Sequence, residues 1–343
     1  MLYRALVRPL LFTLPAETAQ GMAETLLGFA PLWNVLSPLL HGDSPRLRTD
    51  LCGISLASPI GLAAGFDKDF RVLAALSALG FGYLTGGTVT LGPRPGNPKP
   101  RMARDVPREA LLNSLGFPGK GAEPAVQRMR RYAAQTPLVA SIAGTEIHDV
   151  VACHRLVEPH ASAVEVNISS PNTAGLRAFH DPAALCDLLV AVKEGASKRK
   201  PIFVKLPPYA DTPDERRESM ALVRACADAG VDGLTVANSR PVQDARLAVG
   251  KGGLGGRPLL GDTLRMVREV RTELGEGPKA MSINACGGIF TGAEALVALK
   301  AGATTVQVYT ALVYRGPATV GRIKKELLAA MDAEGVPDIS SLT

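Results

Sequence analysis

Apolar positions along the chain fall into eight short runs, near residues 58–64, 81–88, 137–143, 161–168, 201–206, 231–237, 280–285 and 303–309. They are rich in β-branched residues and short enough for strands, and patterns of helical spacing separate them. In the fourth run Val164, Val166 and Ile168 share one face and Glu165 and Asn167 the other, as the two-residue strand period requires. Three junctions share one punctuation. Ala-Leu-Gly80, Asp-Ala-Gly230 and Lys-Ala-Gly302 each place glycine, which closes helices in the left-handed conformation, between an alanine-rich helical stretch and a β-branched run. Eight strands alternating with helices predict one α/β domain, a (β/α)8 TIM barrel, whose chemistry sits in the loops after the strands.

Two segments fall outside this repeat. About fifty residues separate the second and third strands. Their Pro- and Gly-rich start, Leu91-Gly-Pro-Arg-Pro-Gly-Asn-Pro-Lys-Pro-Arg101, predicts an excursion over the barrel mouth at about 90–118. At the N-terminus, Leu2, Leu6 and Leu10 followed by Met22, Leu26 and Phe29 read as two short amphipathic helices, with Arg4 and Arg8 near the first. Residues 25–42 lack Asp, Glu, Lys and Arg, but Gly28, Pro31, Asn34 and Pro38 interrupt them, so a spanning helix of ~20 residues is not expected. Pro9 and Pro15 leave too short an apolar core for a signal peptide. Two readings remain: a helical hairpin packed on the barrel as ordinary core, or interfacial attachment to a membrane surface. The expected organisation is an N-terminal helical segment, 1–42, and a barrel, 43–343.

Composition excludes several classes. With 46% hydrophobic and 20% charged residues over 343 positions, the chain is not generally disordered, and no low-complexity tract or long linker divides it. Five cysteines, at 52, 153, 186, 226 and 286, form no CxxC pair and no metal-ligand spacing, so free thiols and no metal site are expected. His148, His154 and His160 recur every six residues, which puts no two on one helix face, and they read as surface or helix-end residues. The net charge of +6 comes from dispersed basic residues, so no nucleic-acid partner is expected.

Polar side chains gather at the strand ends. Strand 1 ends Ala63-Ala-Gly-Phe-Asp-Lys68, strand 2 ends Gly86-Gly-Thr-Val-Thr90, and the excursion carries Asn113-Ser-Leu-Gly-Phe117. Strand 4 runs into Asn167, Ser169, Ser170 and Asn172, where Pro171 cannot continue a central strand; strand 5 carries Lys205 and strand 6 ends Ala237-Asn238-Ser239. The Ser/Asn cluster reads either as a polar turn bonding its own backbone or as a catalytic strand end. An asparagine amide offers a donor and an acceptor side by side, which suits a ring with adjacent N–H and C=O groups such as a pyrimidine or a flavin, and the lysines imply an anion. Lys205 inside an apolar strand needs a partner. Glu165 could be its structural counter-ion, the ammonium could support the N1/O2 edge of a reduced flavin, or it could form a Schiff base in a phosphate-binding lyase or aldolase.

The last two strands read as a phosphate site. Ile283-Asn-Ala-Cys-Gly-Gly288 precedes the capping-box pattern Thr291-Gly-Ala-Glu294, and strand 8 ends Tyr309-Thr310. Gly250-Lys-Gly-Gly-Leu-Gly255 matches a dinucleotide fingerprint, but it lies about a dozen residues past its nearest strand and lacks a following acidic residue for the ribose. Its glycines read instead as a close backbone approach to the same phosphate.

Taken in order, Gly-Leu-Ala-Ala-Gly-Phe-Asp-Lys-Asp (61–69), Asn-Ile-Ser-Ser-Pro-Asn-Thr (167–173), Gly-Gly-Leu-Gly-Gly-Arg-Pro-Leu (252–259) and Val-Gln-Val-Tyr-Thr (306–310) resemble the class 2, quinone-dependent dihydroorotate dehydrogenases over nearly the whole chain. The resemblance implies oxidation of dihydroorotate to orotate in pyrimidine synthesis, on FMN, with a membrane quinone such as ubiquinone as final acceptor. It implies Ser170 as the catalytic base, where class 1 enzymes are expected to carry cysteine, with Thr173 or a water as its relay. Substrate-holding positions match Lys68, Asn113, Ser114, Leu115, Gly116, Phe117, Asn167, Asn172, Asn238 and Ser239. FMN-holding ones match Ala64, Gly65, Thr88, Ser141, Asn167, Lys205, Ala237, Gly256, Gly288, Tyr309 and Thr310. Quinone-site positions match Gln20, Arg104 and Tyr309. Departures from the pattern are Ser141 for asparagine, Ala237 for threonine, Ser114 for a larger residue and Gln20 for histidine. The resemblance further implies a monomer attached peripherally to the cytoplasmic side of the cell inner membrane.

Overall fold

The computed structural model describes residues 3–133, 136–173, 175–277 and 280–342. Eight parallel strands close into a barrel: β1 (Ile60–Leu62), β2 (Tyr83–Val89), β3 (Leu138–Ile142), β4 (Ala163–Asn167), β5 (Ile202–Lys205), β6 (Gly233–Val236), β7 (Ser282–Cys286) and β8 (Thr305–Val308). Each pairs with its neighbours in sequence, and β8 closes on β1, so all eight predicted strands are present in order. These strands are buried along almost their whole length because helices cover them outside and side chains fill them inside.

Part of that filling is polar. Thr235 Oγ1 donates to Glu165 Oε2 at 2.7 Å, Asn284 Nδ2 donates to Thr235 Oγ1 at 3.4 Å, and Thr305 Oγ1 donates to Asn284 Oδ1 at 2.6 Å. The Tyr83 hydroxyl continues the chain to Thr305 at 2.7 Å. A hairpin of Thr49–Leu51 and Ile54–Leu56 plugs the other end of the barrel, packing Leu51 and Leu56 on Tyr83, Val139, Ala163 and Phe203.

The excursion after β2 is more ordered than its proline content predicts. Strands Met102–Asp105 and Ala110–Asn113 join Arg240–Gln243 and Lys251–Gly256 in a four-stranded antiparallel sheet over the mouth. Of the fingerprint-like glycines, Gly252 and Gly255 therefore lie in a strand and Gly250 just before it. At two positions the lack of a side chain has a steric cause: a Cβ on Gly252 would sit 2.4 Å from the Asn113 carbonyl oxygen, and one on Gly253 would sit 2.0 Å from Ser239 Oγ. His154 lies in the last turn of helix Ile147–Val157, as a helix-end residue, but it is buried, with neither ring nitrogen hydrogen-bonded among the described residues.

The N-terminal segment holds more helix than the two predicted elements. A π-helical turn Tyr3–Val7 runs into Arg8–Thr13, followed by Ala16–Leu27 and Ala30–Leu40. The third helix tolerates Pro31 because it occupies the first turn, where its missing N–H has no intrahelical acceptor to lose. Leu27, Trp33, Phe12 and Leu36 pack inward on the barrel. Leu10, Val35 and Leu39 stay 72%, 77% and 79% exposed, and Leu6, Met22, Leu26 and Phe29 are exposed beside them, so the segment is not ordinary core. Among the described residues no helix is long and apolar enough to cross a membrane.

Candidate active site

The C-terminal strand ends and the excursion enclose a cavity of about 1170 Å³, mouth included. Ala64 and Gly65 after β1, Thr88 in β2, Lys205 in β5, Ala237, Asn238 and Ser239 after β6, Gly256 on the excursion sheet, Gly288 after β7 and Tyr309 and Thr310 after β8 all line it. The excursion adds Asn113, Leu115, Gly116 and Phe117, and the turn after β4 adds Ser170 and Asn172, with Asn167 and Lys68 facing the same space. Almost every side chain singled out in the sequence is therefore brought to one place.

Two are not. Ser114, just past the end of strand Ala110–Asn113, has no exposed surface and does not line the cavity, while Asn113 and Leu115 on either side of it do; its hydroxyl is buried without a partner among the described residues. Ser141 also lies outside the cavity wall, and its hydroxyl instead meets Thr88 Oγ1 at 3.0 Å.

The asparagines are held in fixed orientations. Asn167 Nδ2 donates to Thr88 Oγ1 at 2.9 Å, while its Oδ1 accepts from both the Ser169 amide and hydroxyl, at 3.1 and 2.7 Å. Asn238 Nδ2 donates to the same Ser169 hydroxyl at 2.8 Å, and Asn238 Oδ1 accepts from the Ser239 amide at 2.7 Å. One buried serine thus joins the ends of β4 and β6. The sequence placed Ser169 on a turn and gave it no role; its position between two asparagine-bearing strand ends was the only signal available.

Asn172 Nδ2 reaches Asn113, donating to its carbonyl at 3.2 Å and its side-chain oxygen at 3.3 Å. Asn97, overlooked in the proline-rich run, donates through Nδ2 to the Asn172 carbonyl at 3.2 Å and the Ser114 carbonyl at 2.9 Å. Between these asparagines Ser170 Oγ lies 3.3 Å from Thr173 Oγ1, bringing together the base and relay suggested by the sequence.

Charge inside the cavity is unbalanced. Lys68 makes no ion pair or hydrogen bond with any described residue, and burial holds its pKa below the ordinary lysine value, against the opposing pull of Glu24, Glu17 and Asp67. Among the described residues Lys205 has no carboxylate within ion-pair distance; its polar neighbour is Cys286 Sγ at 3.9 Å, and Glu165, which accepts from Thr235 through Oε2, acts on it only from farther away. Burial pushes the Cys286 thiol up, so it meets the ammonium as a neutral group. The Glu165 counter-ion reading of Lys205 is therefore not met by an ion pair.

The β7 turn packs closely against the start of helix Leu260–Leu274 and leaves backbone N–H groups free. Gly288 has φ +78°, and a Cβ there would lie 2.3 Å from the Leu260 nitrogen. Among the described residues none accepts from the Gly287 or Gly288 N–H, and the Gln307 Oε1 atom at the cavity wall is buried without a partner. Glu294 fixes the turn by accepting from the Phe290 and Thr291 amides at 2.7 and 2.8 Å and from Arg257 Nη1 at 2.9 Å. Arg257 in turn stacks over Phe290 at 4.5 Å.

Met102, Leu111 and Tyr309 belong to a second cavity as well, of about 1250 Å³, between the N-terminal helices and the barrel. Its remaining walls are mostly apolar, including Leu11, Phe12, Ala19, Ala23, Trp33 and Phe66, with Gln20 and Arg104 among the few polar groups. Arg104 donates to the carbonyls of Leu14 at 2.7 Å, and of Leu11 and Phe12 at 3.4 Å, closing the C-terminus of Arg8–Thr13. Gln20 Nε2 donates to Glu24 at 3.0 Å, and its buried oxygen is unpartnered.

Fold and site together define a (β/α)8-barrel enzyme with a lysine- and asparagine-lined chamber that shares one wall with an apolar chamber under the N-terminal helices. A family model for dihydroorotate dehydrogenase matches residues 46–331. A dihydroorotate dehydrogenase (quinone) of Thermus thermophilus is 38% identical over 346 residues, covering 97% of this chain and 98% of the relative. That of Sphingopyxis alaskensis is 39% identical over 341 residues, covering 96% and 93%. The crystal structure of DHODH from Eimeria tenella in complex with ferulenol superposes with a TM-score of 0.84 at 27% identity, covering 97% of each chain. The chain belongs to the dihydroorotate dehydrogenase family.

Proposed function

We propose that the protein oxidises (S)-dihydroorotate to orotate in pyrimidine synthesis, with FMN as hydride acceptor and a membrane quinone as final oxidant. The observation that carries this reading is the pair of cavities with a common wall at Met102, Leu111 and Tyr309, one lined by amides and unpaired lysines, the other apolar. Two half-reactions with chemically opposite substrates need two such chambers on either side of one redox group.

The residues fit FMN. The free Gly287 and Gly288 amides and the Gly256 and Thr310 backbone around them suit a phosphate, Lys205 suits the edge of the ring where negative charge develops, and the Gln307 oxygen can accept from the group. Ala64, Gly65, Thr88, Asn167, Ala237 and Tyr309 would complete its walls, with Ser141 acting through Thr88. Bound there, FMN supplies a two-electron acceptor for a hydride from C6 of the substrate and a donor to quinone.

The chain supplies the rest. Lys68 is the partner for the substrate carboxylate, and Asn113, Asn167, Asn172 and Asn238 present amide edges to the ring, with Ser239 behind Asn238 and Leu115, Gly116 and Phe117 excluding water. Ser170 takes the proton from C5, and the Thr173 hydroxyl is placed to pass it on. Gln20, Arg104 and Tyr309 face the quinone in the apolar chamber. The exposed leucines and valines of the N-terminal helices attach the protein peripherally to the membrane that holds the quinone, on the cytoplasmic side of the cell inner membrane, as a monomer.

The absorbance spectrum of the purified protein, recorded before and after anaerobic addition of dihydroorotate, tests this reading. A flavin spectrum, about one FMN per chain on acid release, and bleaching by dihydroorotate are expected. A colourless protein that FMN cannot reconstitute would instead favour a lyase using Lys205.

A further inference from the structure

The N-terminal helices and the substrate chamber are joined by a buried charge. Arg101, in the excursion, is only 8% exposed, and Glu17 of helix Ala16–Leu27 supplies its carboxylate: Nη2 donates to Glu17 Oε1 at 2.7 Å, and Nε lies 3.2 and 3.3 Å from the two carboxylate oxygens. Lys99 Nζ approaches the same carboxylate at 3.5 Å from the solvent side. The remaining Arg101 donor, Nη1, holds the Pro95 and Asn97 carbonyls at 2.7 and 3.2 Å, and the Arg101 carbonyl accepts from the Ser114 amide at 2.9 Å.

Asn97 then reaches the substrate side. Its amide nitrogen donates to the Leu115 carbonyl at 2.9 Å, and its side chain ties together Ser114 and Asn172. Asn172 in turn grips Asn113. Four side chains, Glu17, Arg101, Asn97 and Asn172, therefore connect a helix that walls the apolar chamber to the asparagines that face the polar one. A buried guanidinium without its carboxylate is costly, so the loop carrying Arg101 cannot keep this geometry once the charge is unpaired.

We propose that Glu17 is a positioning residue for the substrate site: by pairing with Arg101 it fixes the excursion over Asn113 and Asn172, so the helical segment orders dihydroorotate binding as well as enclosing the quinone chamber. The proposal rests on the function proposed above. It implies that the N-terminal segment is not separable from the first half-reaction.

The test uses full-length, FMN-loaded Glu17→Gln, which keeps the side-chain size and removes the charge. Orotate affinity is read from the perturbation of the flavin spectrum, and dihydroorotate KM and kcat are measured with a soluble dye as oxidant. Orotate Kd and dihydroorotate KM should rise together by roughly tenfold, while kcat with the dye falls less than about threefold and quinone KM stays within about twofold. Glu17→Asp, which restores the charge at shorter reach, should recover part of the loss and serves as the measurement if Glu17→Gln does not accumulate. Orotate affinity within about twofold of wild type in whichever variant folds overturns the proposal. So does an equal loss of orotate and quinone affinity, which marks Glu17 as a general anchor. A wild-type protein that takes up no FMN, or whose flavin dihydroorotate does not bleach, instead refutes the functional reading itself.

Discussion

The Ser170 hydroxyl lies 3.3 Å from that of Thr173, and among the described residues no histidine or carboxylate hydrogen-bonds to either. A serine is a weak base in water, so the base role proposed for Ser170 requires that water be excluded and the proton have one exit. Ser170→Ala should leave FMN bound and slow its anaerobic reduction by dihydroorotate roughly 10²- to 10⁴-fold, the range for losing a positioned general base. Rapid-mixing absorbance isolates that step, and bleaching at the wild-type rate would reduce Ser170 to a turn residue.

Lys68 gives a pH dependence whose sign follows from its surroundings. Burial, opposed by Glu24, Glu17 and Asp67, lowers its pKa in the ligand-free fold, so its protonated form costs stability below that pKa and the cost fades as pH rises through it. A bound carboxylate restores the charge. Orotate affinity should be flat at lower pH and decline as pH rises through the Lys68 pKa. Lys68→Met should weaken orotate binding by about 3 kcal/mol, or roughly 10²-fold, yet raise the melting temperature of the ligand-free protein at neutral pH. A melting temperature that falls in the variant would show that Lys68 has a partner in the fold.

The barrel was legible because each of its strands is a short apolar run flanked by helical stretches, and at Gly80, Gly230 and Gly302 a glycine marks the passage from helix to strand. Lys68, Ser170 and Asn172 were legible for the same reason, since a strand end fixes where a side chain must point. What escaped were relationships set by long-range contact. Gly252 and Gly253 read as a phosphate loop, whereas they are glycines because Asn113 and Ser239 leave no room for a Cβ. Ser114 follows Asn113 in a matching motif, yet it is buried and does not line the cavity. Asn97 and Arg101 looked like part of a proline-rich loop, and nothing local says that Glu17, 84 residues away, completes them.

Glu294 holds the β7 turn, proposed above to bind the FMN phosphate, without facing the cavity. Its carboxylate holds the Phe290 and Thr291 amides and one guanidinium nitrogen of Arg257, so it joins the β7 turn to the turn that follows strand Lys251–Gly256. Glu294→Gln, losing the charge and one acceptor, should raise the FMN dissociation constant roughly tenfold, about 1.4 kcal/mol, without slowing flavin reduction in the molecules that retain cofactor. Fluorescence of released flavin on dilution measures it. Unchanged retention would mean that the glycine backbone alone shapes the site.

The apolar chamber makes a separable prediction. Ala23 lies on helix Ala16–Leu27 and faces that chamber but not the polar one. With about 1250 Å³ of space before it, a larger side chain can be accommodated without the strain of overpacking a filled core. Ala23→Phe should therefore leave FMN content, orotate affinity and turnover with a soluble dye unchanged, while the KM for a long-chain quinone rises at least roughly tenfold, because a pocket discriminates by the volume it has left. The two oxidants act as each other's control, since the dye needs no apolar route and the quinone does. Equal loss with both oxidants would place the phenyl ring's effect on the barrel itself. Long-chain quinone turnover indistinguishable from wild type would mean that electrons leave the flavin by another path, and the chamber under the N-terminal helices would lose its place in the second half-reaction.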